Sequence, residues 1–82
     1  MKTELQNIPG IGKKLEQDLI MLGIKKISDL ENKDPEKLYR KLEKLKNSHQ
    51  DRCVLYVFRS AIYYAKGGRN PDGLLWWNWK DN

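Results

Sequence analysis

The longest amphipathic stretch of the chain runs from about His49 to Lys66. Val54, Leu55, Val57, Phe58, Ala61, Ile62 and Ala65 gather there on one wide face of a helix. Arg52, Tyr56, Arg59, Tyr63 and Lys66 recur at alternating intervals of four and three residues and form a stripe on the other side. A face this wide predicts the spine of the core, with Phe58 fully buried. Two shorter periodic segments come first. Leu15, Leu19 and Leu22 mark one helix beginning near Lys13, and Leu38, Leu42 and Leu45 give a second its apolar stripe. Cys53 lies beside the apolar positions of the spine and reads as a small buried hydrophobe.

The residues between these stripes are helix starts and stops. Thr3 and Gln6 have capping-box spacing, so a short first helix is expected from Thr3. Ile8-Pro9-Gly10-Ile11-Gly12 stops it, because proline restricts the residue before it and glycines favour a tight turn. Gly23 reads as a left-handed C-cap, with Ile24 folding back on the helix before it. Ser28-Asp29-Leu30 suggests one helical turn. Asp34-Pro35 is a strong helix start, since the carboxylate accepts free amides and proline fits the first helical position. Asn47-Ser48 breaks that helix, and Ser48 with Asp51 has the spacing to cap the spine. Gly67-Gly68 ends the spine, and Asn70-Pro71-Asp72-Gly73 is a turn signal ahead of Leu74-Leu75-Trp76-Trp77-Asn78-Trp79. No convincing strand pattern precedes residue 74. The expected fold is all-α, with four to five short helices and an aromatic C-terminal extension.

Composition narrows the chemistry. The chain has 82 residues, room for one small core. One Cys and one His exclude a disulfide framework and a Cys/His zinc cluster, and leave no Ser-His-Asp or Cys-His site. No metal and no cofactor are expected, nor is an enzyme. The apolar runs are too short to span a membrane, and the first ten residues have no apolar core of a secretory leader. A cytoplasmic monomer is the expectation. Lys and Arg total 16 against 11 Asp and Glu, a net charge of +5, which fits a polyanionic partner.

The segment Ile8 to Lys14 is a glycine-rich turn feeding a helix N-terminus. Such a start presents backbone N–H groups without intrahelical partners, and with the helix dipole they make an anion site. Gly10 and Gly12 carry no side chain that would hold a phosphate away. Lys13 and Lys14 oppose the dipole, and a bound phosphate would account for them. Ile11, between the glycines, points inward. Residues 5–24 resemble a helix-hairpin-helix motif, the DNA-binding unit of many repair proteins. Its hydrophobic-Pro-Gly-hydrophobic-Gly pattern is matched from Ile8 to Gly12, and its paired apolar residues by Leu19 and Ile20.

The likeness extends through Gly23-Ile24, Ser28-Asp29-Leu30, Asp34 to Tyr39, Asp51 to Arg59 and Trp76-Trp77-Asn78-Trp79-Lys80. Over nearly its whole length the chain is similar to small bacterial helix-hairpin-helix proteins of the "pathogenicity locus" family. The resemblance implies a helix-hairpin-helix (SAM-like) domain over residues 1–68 and a Trp-rich tail over residues 69–82 packed on it. The family name records genetic context and not an activity; it is the helix-hairpin-helix motif that implies phosphate binding, independent of DNA sequence, at Gly10, Ile11, Gly12, Lys13 and Lys14. Glu16 stands where the motif commonly has a small residue, and with Asp18 it adds negative charge one turn from the phosphate site. DNA binding is therefore expected to be weak.

Other features have plainer readings. The basic and aromatic stripe Arg52, Tyr56, Arg59, Tyr63 and Lys66 is a second candidate nucleic-acid face. A covering by the tail is the simpler account of its tyrosines. Trp76, Trp77 and Trp79 read as a lid that adds apolar mass to a small fold, or as a surface that stacks bases or holds a peptide of a protein partner. The turn Lys46 to Gln50 has the place of a second hairpin but no glycine, and is expected to be structural. His49 reads as a surface or capping residue, and the basic run Lys37 to Lys46 as a solvated face. The alternative to DNA binding is a protein-interaction module that kept the fold and lost that role.

Overall fold

The wide apolar face of the spine sets the architecture, because the second long helix and most of the short turns pack on it, while the first helix pairs with the first turn. The computed structural model describes residues 4–79. They form three α-helices, α1 (Lys13–Met21), α2 (Pro35–Lys46) and α3 (Arg52–Ala65). Four single 3-10 turns join and extend them, at Glu4–Asn7, Ile27–Leu30, Pro71–Leu74 and Trp76–Trp79. No strand occurs among the described residues. The expected four to five helices resolve into three helices and these turns. Pro9, Pro71 and the glycines around them leave no run long enough for a further α-helix. The expected start at Thr3 lies outside the described residues.

Helix α3 buries Leu55, Val57, Phe58, Ser60, Ala61, Ile62 and Ala65. Phe58 is fully enclosed. Helix α2 and both C-terminal turns pack on α3, as does the Ile27–Leu30 turn. Leu5, Ile8, Ile11, Leu19, Leu22, Ile24 and Leu30 close the core from the N-terminal side. Glu4 holds this side together across the chain, its Oε1 accepting from the Ile27 amide at 2.8 Å.

The caps follow the sequence with one shift. Gly23 is left-handed at φ 87°. Its amide donates to the Ile20 carbonyl at 3.0 Å and that of Ile24 to the Leu19 carbonyl at 2.9 Å, a Schellman ending that buries Ile24. Asp34 caps α2 through the Glu36 amide at 2.9 Å. Helix α3 begins at Arg52 rather than His49, because Asp51 is itself the cap, accepting from the Cys53 amide at 2.9 Å. Ser48 closes α2 instead. Its amide donates to the Glu43 carbonyl at 3.1 Å, and its hydroxyl accepts from Gln50 Nε2 at 3.1 Å. Asn47 adopts the left-handed conformation there that glycine usually supplies, at φ 51°.

Two apolar positions depart from expectation. Leu45 is half exposed, because Tyr39 rather than Leu45 joins Leu38 and Leu42 on the buried face of α2. That face turns toward the α2–α3 connection, where the Tyr39 hydroxyl donates to the Gln50 carbonyl. Burial raises the Tyr39 phenol above its ordinary value, with Glu43 adding to the effect. Cys53 is only half-buried, since it is the second residue of α3, at the end of the helix.

Candidate nucleic-acid interface

The hairpin is a short series of turns pinned from below. The Ile8 amide donates to the Leu5 carbonyl and the Ile11 amide to the Ile8 carbonyl, both at 3.1 Å. Ile8 and Ile11 are buried, while Pro9, Gly10, Gly12, Lys13 and Lys14 are exposed. Gly10 adopts φ 89°, a conformation that resists any side chain. Its backbone is also approached by the tail, because a Cβ there would lie 3.4 Å from Trp76 Cδ1 and 3.8 Å from Val57 Cγ1. The hairpin therefore rests on α3 and on a tryptophan from the far end of the chain.

Helix α1 starts differently from its neighbours. Gly12 at its N-cap is extended and offers no side-chain acceptor, whereas Asp34 and Asp51 cap α2 and α3. The first bond inside α1 runs from the Glu16 amide to the Gly12 carbonyl at 2.9 Å. The amides before it have no partner within the helix, and Gly12, Lys13 and Lys14 are exposed. Neither lysine is ion-paired with a described residue.

The two acidic residues of α1 are buried. Glu16 is 3% exposed and accepts from Gln6 Nε2 at 2.9 Å. A hydrogen bond to the first turn thus takes the place of the close contact that a small residue would permit. Asp18 is 5% exposed and pairs with Lys46 Nζ at 2.8 Å, which ties α1 to the end of α2. Lys46 thus offsets the charge of Asp18. A groove of about 360 Å³ runs from Lys14 and Leu15 past Asp18 to His49, Gln50 and Asp51. It links the hairpin to the α2–α3 connection, which is held by Glu43. That carboxylate accepts from the Gln50 amide at 2.9 Å and pairs with His49 Nδ1 at 2.7 Å.

The Arg52-to-Lys66 stripe is not one open face. Arg59 donates from Nη1 to the Trp79 carbonyl at 2.7 Å, pairs through Nη2 with Glu36 at 3.4 Å, and lies over the Tyr56 ring at 5.7 Å. Tyr63 packs against Trp79 at 5.6 Å between ring centres, and its hydroxyl accepts from the Asn70 amide at 3.1 Å. Arg52 and Lys66, at the two ends of the stripe, remain exposed, with Arg52 6.0 Å above the Tyr39 ring. Along α2, Lys37, Arg40, Lys41 and Lys44 border one broad depression of about 700 Å³. Two acid groups elsewhere serve the backbone. The amides of Lys25 and Lys26 hold the Asp29 carboxyl below its usual range, and the Cys53 amide does the same for Asp51.

Several residues of this surface carried no signal in the sequence. Ser60 is buried beneath the tail, and its hydroxyl donates to the Gly73 carbonyl at 3.3 Å. The same carbonyl accepts from Trp79 Nε1 at 2.8 Å. Arg69 lies 3.8 Å over the Tyr64 ring and donates to the Tyr64 and Gly68 carbonyls. Gly68 and Gly73 clamp the Tyr63 ring from two sides, since a Cβ would fall 2.4 Å and 2.5 Å from its nearest atoms. Gly73→Ala is therefore expected to displace Tyr63 and loosen Trp79, destabilising the chain by about 1–3 kcal/mol. Thermal melting together with the Trp79 indole resonance checks this. An unchanged melting temperature with an unshifted indole would refute the clamp.

Residues 1–82 match the family model described as Cdd1, pathogenicity locus. No curated relative and no solved structure matches the chain.

Proposed function

We propose that this chain, which belongs to the Cdd1 pathogenicity-locus family, is a non-enzymatic, cytoplasmic, monomeric DNA-binding module. It acts through a helix-hairpin-helix unit. The observation that carries the reading is the uncapped start of α1 at Gly12, exposed beside Lys13 and Lys14, in a fold whose other two helices are capped by aspartates. A phosphate oxygen placed there accepts from the backbone amides and gains the favourable end of the helix dipole, and the two ammonium groups add charge. Gly10, Ile11 and Gly12 shape the turn. Base edges are not read, so duplex sequence has little effect. Few phosphate contacts give affinity in the non-specific range, roughly 10⁻⁴ to 10⁻⁶ M at physiological salt.

A titration of isotope-labelled protein with mixed-sequence duplex at low and moderate salt tests the reading. Amide shifts are expected to cluster at residues 9–14, with binding that weakens steeply as salt rises. Lys13→Glu combined with Lys14→Glu should abolish duplex binding and leave the fold intact, because acidic residues suit the first turn of a helix. Duplex binding unchanged in that variant would overturn the hairpin assignment. A second reading, a protein-interaction module, draws on Trp77, which is 47% exposed with its neighbour Trp76 edge-on at 5.6 Å between ring centres. Absence of duplex binding even at low salt would favour it.

A further inference from the structure

The start of α2, the end of α3 and the last 3-10 turn border a groove of about 520 Å³. That volume falls in the usual range for small-molecule sites, roughly 300–1,000 Å³. Pro35, Ile62, Tyr63 and Trp79 provide apolar and aromatic walls, and Lys33, Lys66 and Arg59 provide the charge. No carboxylate of a described residue lines it. At the adjoining start of α2, Asp34 accepts from the Glu36 amide and Glu36 pairs with Arg59. Arg59 fixes the back of the groove by binding the Trp79 carbonyl, so the Trp79 ring is held beside Tyr63. Lys33 and Lys66 are exposed at the rim.

We propose that this groove is a site for single-stranded nucleic acid, in which one base lies against Trp79, held in place by Tyr63, and the adjoining phosphates meet Lys33 and Lys66. Flat aromatic walls under a cationic rim are what a base and its phosphates require together. A duplex keeps its bases stacked inside and cannot offer one to the groove. An acidic peptide would use the lysines and leave the aromatic walls without a matching ring. The groove shares no lining residue with the hairpin, although the turn that supplies Trp79 also supplies Trp76 to the hairpin.

The test uses the full, isotope-labelled chain at low salt with a short oligothymidylate, and with mixed-sequence duplex, polyglutamate and inorganic phosphate alongside. The expected result is oligothymidylate-induced shifts of the Lys33 and Lys66 amides and of the Trp79 indole N–H. Lys33→Glu with Lys66→Glu should weaken this binding about tenfold or more, while Lys13→Glu with Lys14→Glu moves it much less. All four lysines are exposed, so these variants should keep the fold, which melting confirms. The proposal is overturned if oligothymidylate shifts only residues 9–14, or shifts nothing. It is also overturned if the Lys33/Lys66 variant binds as the parent does, or if polyglutamate or phosphate gives the same shifts at the same concentration. Loss of duplex binding in the Lys13/Lys14 variant with oligothymidylate binding retained would uphold both sites. Failure of duplex binding alone would remove the hairpin reading and leave the groove standing.

Discussion

Phe58→Ala should cost about 3–5 kcal/mol, enough to leave a chain of this length largely unfolded near body temperature. Phe58 is the largest side chain fully buried among the described residues, and it sits midway along the helix on which α2 and the C-terminal turns pack. Its removal would open a cavity that the surrounding leucines cannot fill without giving up their own contacts. In a domain of this size each 1 kcal/mol lowers the melting temperature by about 4–8 °C. A fall well beyond ten degrees is expected. An unchanged melting curve would mean that the core does not centre on α3.

Removing residues 70–82 should be nearly as damaging, at about 3 kcal/mol or more. The Trp76–Trp79 turn packs on α3 over Ser60 and Tyr63, and Trp76 packs against the core. Burial of one large apolar side chain contributes about 1.5–3 kcal/mol, and here two indoles are partly buried. The truncation would also strip Ser60 of the Gly73 carbonyl and Arg59 of the Trp79 carbonyl. Melting of the truncated chain checks the size of the effect. Sharp, flexible-type resonances across residues 71–79 of the intact chain, with solvent-like Trp fluorescence, would sink the idea that these residues belong to the fold.

Much of the local structure was legible before any coordinates. Asp34-Pro35, Gly23-Ile24 and the alternation along 52–65 are governed by short-range sterics and capping, which act within a few residues and leave a clear mark. Failures came where distant residues decide. Leu45 has the right spacing for the stripe of α2, yet Tyr39 takes its place because the α2–α3 connection lies on that side. Ser60 looks like a polar interruption of the apolar face and is buried only because a carbonyl arrives from Gly73. Glu16 was recognisable as a departure at a packing position. Its burial depends on Gln6, and no periodicity links the two. For the candidate sites, the hairpin could be read directly from Ile8 to Lys14. The groove at Lys33, Lys66 and Trp79 draws on segments far apart in the chain, so no local pattern announces it.

The contact between Trp76 and the hairpin bears on how fast the chain finds its fold. Gly10 and Trp76 lie near opposite ends of the described chain, so bringing them together closes a loop around nearly all of it. All-α chains usually fold rapidly because their contacts are local. Here the helices can form early, but the seat of the hairpin is finished only when the last turn docks. Substitutions at this junction should therefore act mainly by accelerating unfolding, with little effect on the rate of folding. The loop offered to a phosphate would owe its persistence to a barrier set at the other end of the molecule.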